Sequence, residues 1–222
     1  HLPEIILRGG KWFADLGTER NGGTRLFAVS GCVTKPGVYE LPLSTTMREL
    51  IYDHAGGIRN GKALKGVIPG GTSSAVLTAD EIDTPLTFDA LAELDTMAGS
   101  GAIIVLDEDV CMVQALHNIE TFFSHESCGQ CTPCREGTSW VYRILTRIIE
   151  GNGRESDMDT LRDFTFNMNG TAICALCDGA VMALNSFITK FEEEFLYFIR
   201  EKRSLVEDRK DASPPDSVKP GS

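Results

Sequence analysis

Between Lys65 and Arg135 the chain has no lysine or arginine. That stretch (66–134) holds eleven acids: Asp80, Glu81, Asp83, Asp89, Glu93, Asp95, Asp107, Glu108, Asp109, Glu120 and Glu126. Elsewhere 21 acids meet 21 bases, so the whole net charge of −11 falls in this one stretch. A phosphate-binding surface needs basic side chains, and this distribution argues against nucleic-acid binding and against docking on an anionic membrane. No apolar run approaches the roughly 18–20 residues of a membrane helix, so direct membrane insertion is not expected. The chain starts at His1, and no charged segment leading into an apolar one follows, so no signal peptide is visible. Neither G-x-x-x-x-G-K-S/T nor G-x-G-x-x-G occurs, and Pro69-Gly70-Gly71-Thr72-Ser73-Ser74 reads as a turn rather than a phosphate loop. No Ser/His/Asp set or carboxylate pair is spaced as a catalytic group, so no catalytic residue is expected.

What is present is an ordinary globular composition, 42% hydrophobic and 24% charged. Its 222 residues suffice for two small domains without disulfide staples. Residues 1–23, with five glycines, read as an extended lead-in. Arg25–Val33 and Val38–Leu41 have strand character around the turn Lys35-Pro36-Gly37. A short helix over Met47–His54, a strand over Leu64–Ile68, a helical turn over Asp89–Leu94 and a strand over Gly101–Leu106 complete an α+β unit, 24–106. From residue 107 to 205 the spacing turns helical. Stripes run over Asp109–Ser124, Trp140–Ile149, Leu161–Met168 and Val181–Arg200, the last with Phe187, Phe191 and Phe195 on its core face. Residues 206–222, Pro/Ser-rich from Asp211, read as a disordered tail.

The seven cysteines are an odd number for a disulfide scaffold, and five fall in two tight groups. Cys128, Cys131 and Cys134 follow C-x2-C-x2-C spacing, which suits a loop wrapped round an iron–sulfur cube, one sulfur per iron. A cube needs a fourth thiolate, and Cys174 and Cys177 are the candidates, the nearer 40 residues beyond Cys134. A zinc site built from Cys128/Cys131 and Cys174/Cys177 is the competing arrangement, which would make the chain a structural interaction module without redox role. Cys32 and Cys111 stand alone and read as small buried hydrophobes. His125 is either a donor to the site or a solvated histidine. Arg135 either offsets the charge of a thiolate-bound cluster or is a surface guanidinium.

His125–Gly137 (HESCGQCTPCREG) and Thr171–Ala180 (TAICALCDGA) closely resemble the flavin- and NADH-binding subunit of respiratory complex I and related subunits of NAD-dependent formate dehydrogenases and NAD-linked hydrogenases. Trp12-Phe13, Gly23–Phe27, Val29–Gly31, Lys35–Glu40, Ile68–Gly71 and Gly99–Ala102 agree as well, so the resemblance covers about residues 5–200. It implies a soluble-ligand-binding β-grasp domain followed by a helical iron–sulfur domain. It implies that Cys128, Cys131, Cys134 and Cys174 hold one [4Fe-4S] cluster, with Cys177 the less favoured fourth ligand. In that family the cluster takes electrons from flavin mononucleotide (FMN) reduced by NADH and passes them singly to further clusters. The implied partners are other subunits of an NADH-oxidising complex, including a flavin domain and a further iron–sulfur subunit. The implied location is cytoplasmic or on the mitochondrial-matrix side, peripheral to a membrane complex. The family places its flavin/NADH domain before this region, and the chain begins about where that domain would end, so it is not expected to oxidise NADH alone. The family has a small residue, commonly Gly, where this chain has Cys177.

Overall fold

The alternation along β1 (Thr24–Gly31) turns Phe27 and Val29 inward and leaves Leu26, Ala28 and Ser30 outside. β2 (Gly37–Pro42) returns antiparallel to it across the Lys35-Pro36-Gly37 turn. The chain then enters a short helix, α3 (Met47–Glu49), that widens into a π-helical turn over Leu50–His54. Thr46 caps it: its hydroxyl accepts from the Glu49 N–H, and the Glu49 carboxylate accepts from the Thr46 N–H. β3 (Leu64–Ile68), a two-residue β4 (Leu77–Thr78), α4 (Phe88–Ala92) and β5 (Ala102–Asp107) follow. The sheet order is β2-β1-β5-β3-β4, with β1 and β5 parallel and the other pairs antiparallel. The computed structural model describes residues 1–212 of the chain.

β5 reads as an uninterrupted apolar run because both its faces are covered. Ile103 and Val105 enter one core with Phe27, Val29, Met47, Leu50 and Leu91. Leu106 and Ile104 meet a second core built by the helices. These helices are α5 (Met112–Glu126), α6 (Thr132–Ile149), α7 (Ser156–Met168), α8 (Leu176–Lys190) and α9 (Glu192–Glu201). The fold is α+β: a β-grasp sheet with a helical bundle against its outer face.

Three elements differ from the sequence reading. Residues 1–23 are not extended throughout, since α1 (Leu2–Arg8) and α2 (Gly10–Ala14) occupy much of them. The glycines there punctuate helices; Gly9, at φ +89°, separates the two. The stripe Val181–Arg200 is two helices, broken at Phe191, whose φ of −124° is not helical. Glu192, Glu193 and Glu194 in the first turn of α9 are the signal for that new start, because acids favour the positive end of a helix. The reading of 206–222 as disordered fails for its first part, where α10 (Leu205–Ala212) forms. Ser204 and Glu207 cap it: the Ser204 hydroxyl accepts from Val206 N–H and the Glu207 carboxylate from Ser204 N–H. Val206 anchors it in the bundle core. Residues 213–222 of that reading lie outside the described residues.

The two layers are joined by polar ties as well as by apolar contact. Lys65 Nζ of β3 lies 2.5 Å from Glu194 Oε1 of α9. The Val76 N–H donates to Ser186 Oγ at 3.1 Å, and Lys190 reaches Glu81 at 2.7 Å. The acid-rich stretch is therefore less negative in space than along the chain. Glu81 pairs with Lys190, Asp83 with Arg48, Asp89 with Arg20 and Asp109 with Lys62, and every one of these bases lies outside it.

One acid in the bundle core is different. Glu120 of α5 is 1% exposed, and its Oε1 has no hydrogen-bond partner. Burial holds its carboxyl well above the ordinary carboxylate range. An acid with a higher pKa folded than unfolded releases a proton on unfolding. The stability it allows is complete below the unfolded value near pH 4 and declines as pH rises toward the folded value. Glu120→Gln removes that decline. Urea denaturation should show the variant gaining on the wild type from pH 5 to pH 8, by up to about 1.4 kcal/mol per pH unit. Parallel stability curves would refute this.

Candidate functional site

The two cysteine groups sit at the starts of two helices. Cys131 precedes α6 as its N-cap and Cys134 lies in its first turn. Pro133, also in that turn, removes an N–H that no helical carbonyl would have used. The loop before α6 reverses at Gly129, whose φ of +78° suits glycine. Arg135 clasps that loop: its Nη1 donates to the Gly129 carbonyl at 2.7 Å and its Nε pairs with Glu136 at 2.9 Å. Its side chain thus holds the backbone that carries Cys128 and Cys131.

The second group lies across from the first. Cys174 precedes α8 and Cys177 lies in its first turn. Asp178 reaches back to accept from the Gly170 N–H at 2.8 Å, and the Thr171 hydroxyl donates to the Met168 carbonyl at 2.7 Å. The Ile173 N–H lies 3.4 Å from Cys131 Sγ, so residues 42 apart in sequence touch at the site.

The thiols differ in exposure. Cys128 and Cys174 are exposed, Cys131 is half-buried, and Cys134 and Cys177 are buried. Cys177 is 0% exposed, and its Sγ donates to the Met168 carbonyl at 3.5 Å. Burial, reinforced by the neighbouring Cys134 sulfur, pushes its thiol up to about 12. Cys134 takes a contact from a residue that the spacing argument missed: Ser127 Oγ is 3.3 Å from its Sγ. Ser127 stands immediately before the first cysteine, and nothing in the cysteine spacing singles it out.

The donor set is thiol only. His125 is exposed, its Nδ1 held by Glu126 at 3.0 Å, and it does not join the cysteines. Cys111 is buried in the bundle core, as the sequence reading has it, whereas Cys32 is half-buried. Among the described residues, no three His, Cys, Asp or Glu side chains are grouped so as to hold a metal ion. Soft thiolates at two helix starts nevertheless fit an iron–sulfur cube in kind. Thiolates are the usual ligands of such clusters. Cys128, Cys131 and Cys134 share one loop and helix start, and the Ile173 N–H, one residue before Cys174, touches Cys131 Sγ.

Among the described residues, no helix is long and apolar enough to cross a membrane. Residues 114–197 match the family model of the NADH-ubiquinone oxidoreductase-F iron-sulfur binding region. Residues 25–110 match that of the SLBB domain. The chain is 43% identical over 202 residues to the NADH-quinone oxidoreductase F-subunit 2 of Rhizobium meliloti, covering 91% of this chain and 48% of that protein. It is 44% identical over 195 residues to the NADH-quinone oxidoreductase F-subunit of Mycobacterium bovis, covering 88% of this chain and 44% of that one. It thus spans about half the length of the curated relatives it matches. A chain in the crystal structure of an NAD+-reducing [NiFe]-hydrogenase in the air-oxidized state aligns with a TM-score of 0.79 and 28% identity, over 88% of this chain and 33% of that one. The chain thus matches the SLBB domain and the NADH-ubiquinone oxidoreductase-F iron-sulfur binding region in turn, and about nine-tenths of it is similar to part of NADH-quinone oxidoreductase F-subunits.

Proposed function

We propose that Cys128, Cys131, Cys134 and Cys174 together hold one 4Fe–4S cluster, and that the chain works as an electron-transfer module of an NADH-oxidising complex. The observation that carries the reading is the contact between Ile173 N–H and Cys131 Sγ at 3.4 Å, which sets the segment bearing the remote cysteine against the C-x2-C-x2-C group. When bound, the cluster supplies one-electron transfer between FMN reduced by NADH and further iron–sulfur centres. The protein's part is to fix the thiolates, limit the access of water and donate hydrogen bonds to sulfur. None of this requires an acid or a base. The flavin domain and the further iron–sulfur subunit are partners in this reading, and the β-grasp sheet is a docking surface for the complex. The chain's station is peripheral to a membrane complex, on its cytoplasmic or matrix side. Residues 24–106 and 107–205 are its two functional domains.

The test is a redox titration of the anaerobically purified full chain. A brown protein that bleaches on reduction, takes up one electron and develops a paramagnetic resonance signal is expected. A colourless chain with no reducible centre would refute the module.

A further inference from the structure

We infer that Ser127 is a positioning residue that raises the reduction potential of the cluster through its hydrogen bond to Cys134, an inference that rests on the ligand set proposed above. Ser127 Oγ lies 3.3 Å from Cys134 Sγ. Between a neutral hydroxyl and a neutral thiol either atom can donate. A thiolate bound to iron has no proton, so in the loaded protein the hydroxyl is the donor. The Gly129 N–H points at the same oxygen from 3.4 Å. It occupies a lone pair of Oγ and leaves the hydroxyl proton for the sulfur.

The bond is built by the fold. Ser127 closes α5, and its own N–H bonds the Phe123 carbonyl at 3.1 Å. Cys134 is only 7% exposed and lies in the bundle core, so water competes little for its sulfur. A donor aimed at a ligand sulfur stabilises the more negative, reduced cluster and raises its potential. Among the described residues the Ile173 backbone N–H also donates to a sulfur of the group, at Cys131. That donor and the Cys177 thiol beside Cys134 are unchanged in Ser127 variants, so a substitution at Ser127 isolates its own contribution.

The experiment compares the full chain, reconstituted anaerobically, with Ser127→Ala, Ser127→Val and Ser127→Thr, following each redox titration by paramagnetic resonance. Valine and threonine share a shape and differ in the hydroxyl. The alanine and valine variants should load iron as the wild type does. At a fixed ambient potential their reduced-to-oxidised ratio should fall about tenfold, a shift of about 59 mV for a one-electron couple. The threonine variant should titrate with the wild type. Iron-loaded variants that all share the wild-type potential would overturn the inference while leaving the cluster in place. Loss of iron from both hydroxyl-free variants, with the threonine variant intact, would overturn it too, by making Ser127 a requirement for assembly. A wild-type chain that takes up no iron would remove the ligand set and this inference together.

Discussion

Replacing Cys174 by serine should strip most of the iron from the anaerobically purified chain, whereas replacing Cys177 by serine should leave the iron in place. Spacing alone does not separate the two, since both sit at the start of α8 and either thiol is near enough in sequence to serve. Their surroundings differ. Cys177 is fully buried and its thiol proton is committed to the Met168 carbonyl at 3.5 Å. Cys174 is exposed and follows directly on Ile173, whose N–H touches Cys131 Sγ. Cys177 neighbours the Cys134 sulfur, but drawing it onto a cluster would break its bond to Met168 and deprotonate a buried thiol. Cys174 needs no such change. A serine at 177 can keep the bond to the carbonyl, so its cost in stability should stay near 1 kcal/mol, roughly the ordinary size for a substitution. Iron and sulfide analysis of the two variants decides the matter. Retention in Cys174→Ser with loss in Cys177→Ser would reverse the assignment.

The second large effect concerns how the bundle is held to the sheet. Glu194→Ala should destabilise the chain by about 3–5 kcal/mol in urea denaturation. Its carboxylate lies 2.5 Å from Lys65 Nζ, with side-chain exposures of 9% and 11%. The same carboxylate accepts from the Met112 N–H at 3.2 Å, an N–H of the first turn of α5 that the helix leaves unpaired. Truncation leaves the lysine buried with the Val110 carbonyl, 2.7 Å away, in place of a countercharge. The cost is mainly that stranded ammonium, so the double variant Lys65→Met/Glu194→Leu should lose much less than Glu194→Ala alone. A double variant no better than Glu194→Ala would contradict this account. If the pair also holds the β-grasp sheet in register with the bundle, Val76 and Ser186 should lose hydrogen-exchange protection in Glu194→Ala.

Much of the fold was legible because periodicity reports which faces meet a core. The strand over Leu64–Ile68 and the stripe of α5 were readable in this way. The short β4 was not, since two residues carry no period. The break at Phe191 was hidden because its neighbours Phe187 and Phe195 keep helical spacing across it, and the acids that start α9 read equally well as an exposed face. Ser204-Leu205-Val206-Glu207 is a capping pattern legible in the sequence, set just ahead of the Pro/Ser-rich composition that begins at Asp211. At the site, the clustering of cysteines was legible and their environments were not. That Cys177 faces a carbonyl, that Ser127 faces Cys134 and that Arg135 clasps the Gly129 loop all depend on how two helix starts meet. The charge imbalance was legible only along the chain, since several of its acids find bases from elsewhere once the chain folds.

Whether a redox cluster sits on four of this chain's own cysteines is decided most directly by quantifying iron, acid-labile sulfide and zinc in the anaerobically purified chain. About four irons and about four sulfides per chain are expected, without stoichiometric zinc. One tightly held zinc with no sulfide would contradict the cluster assignment.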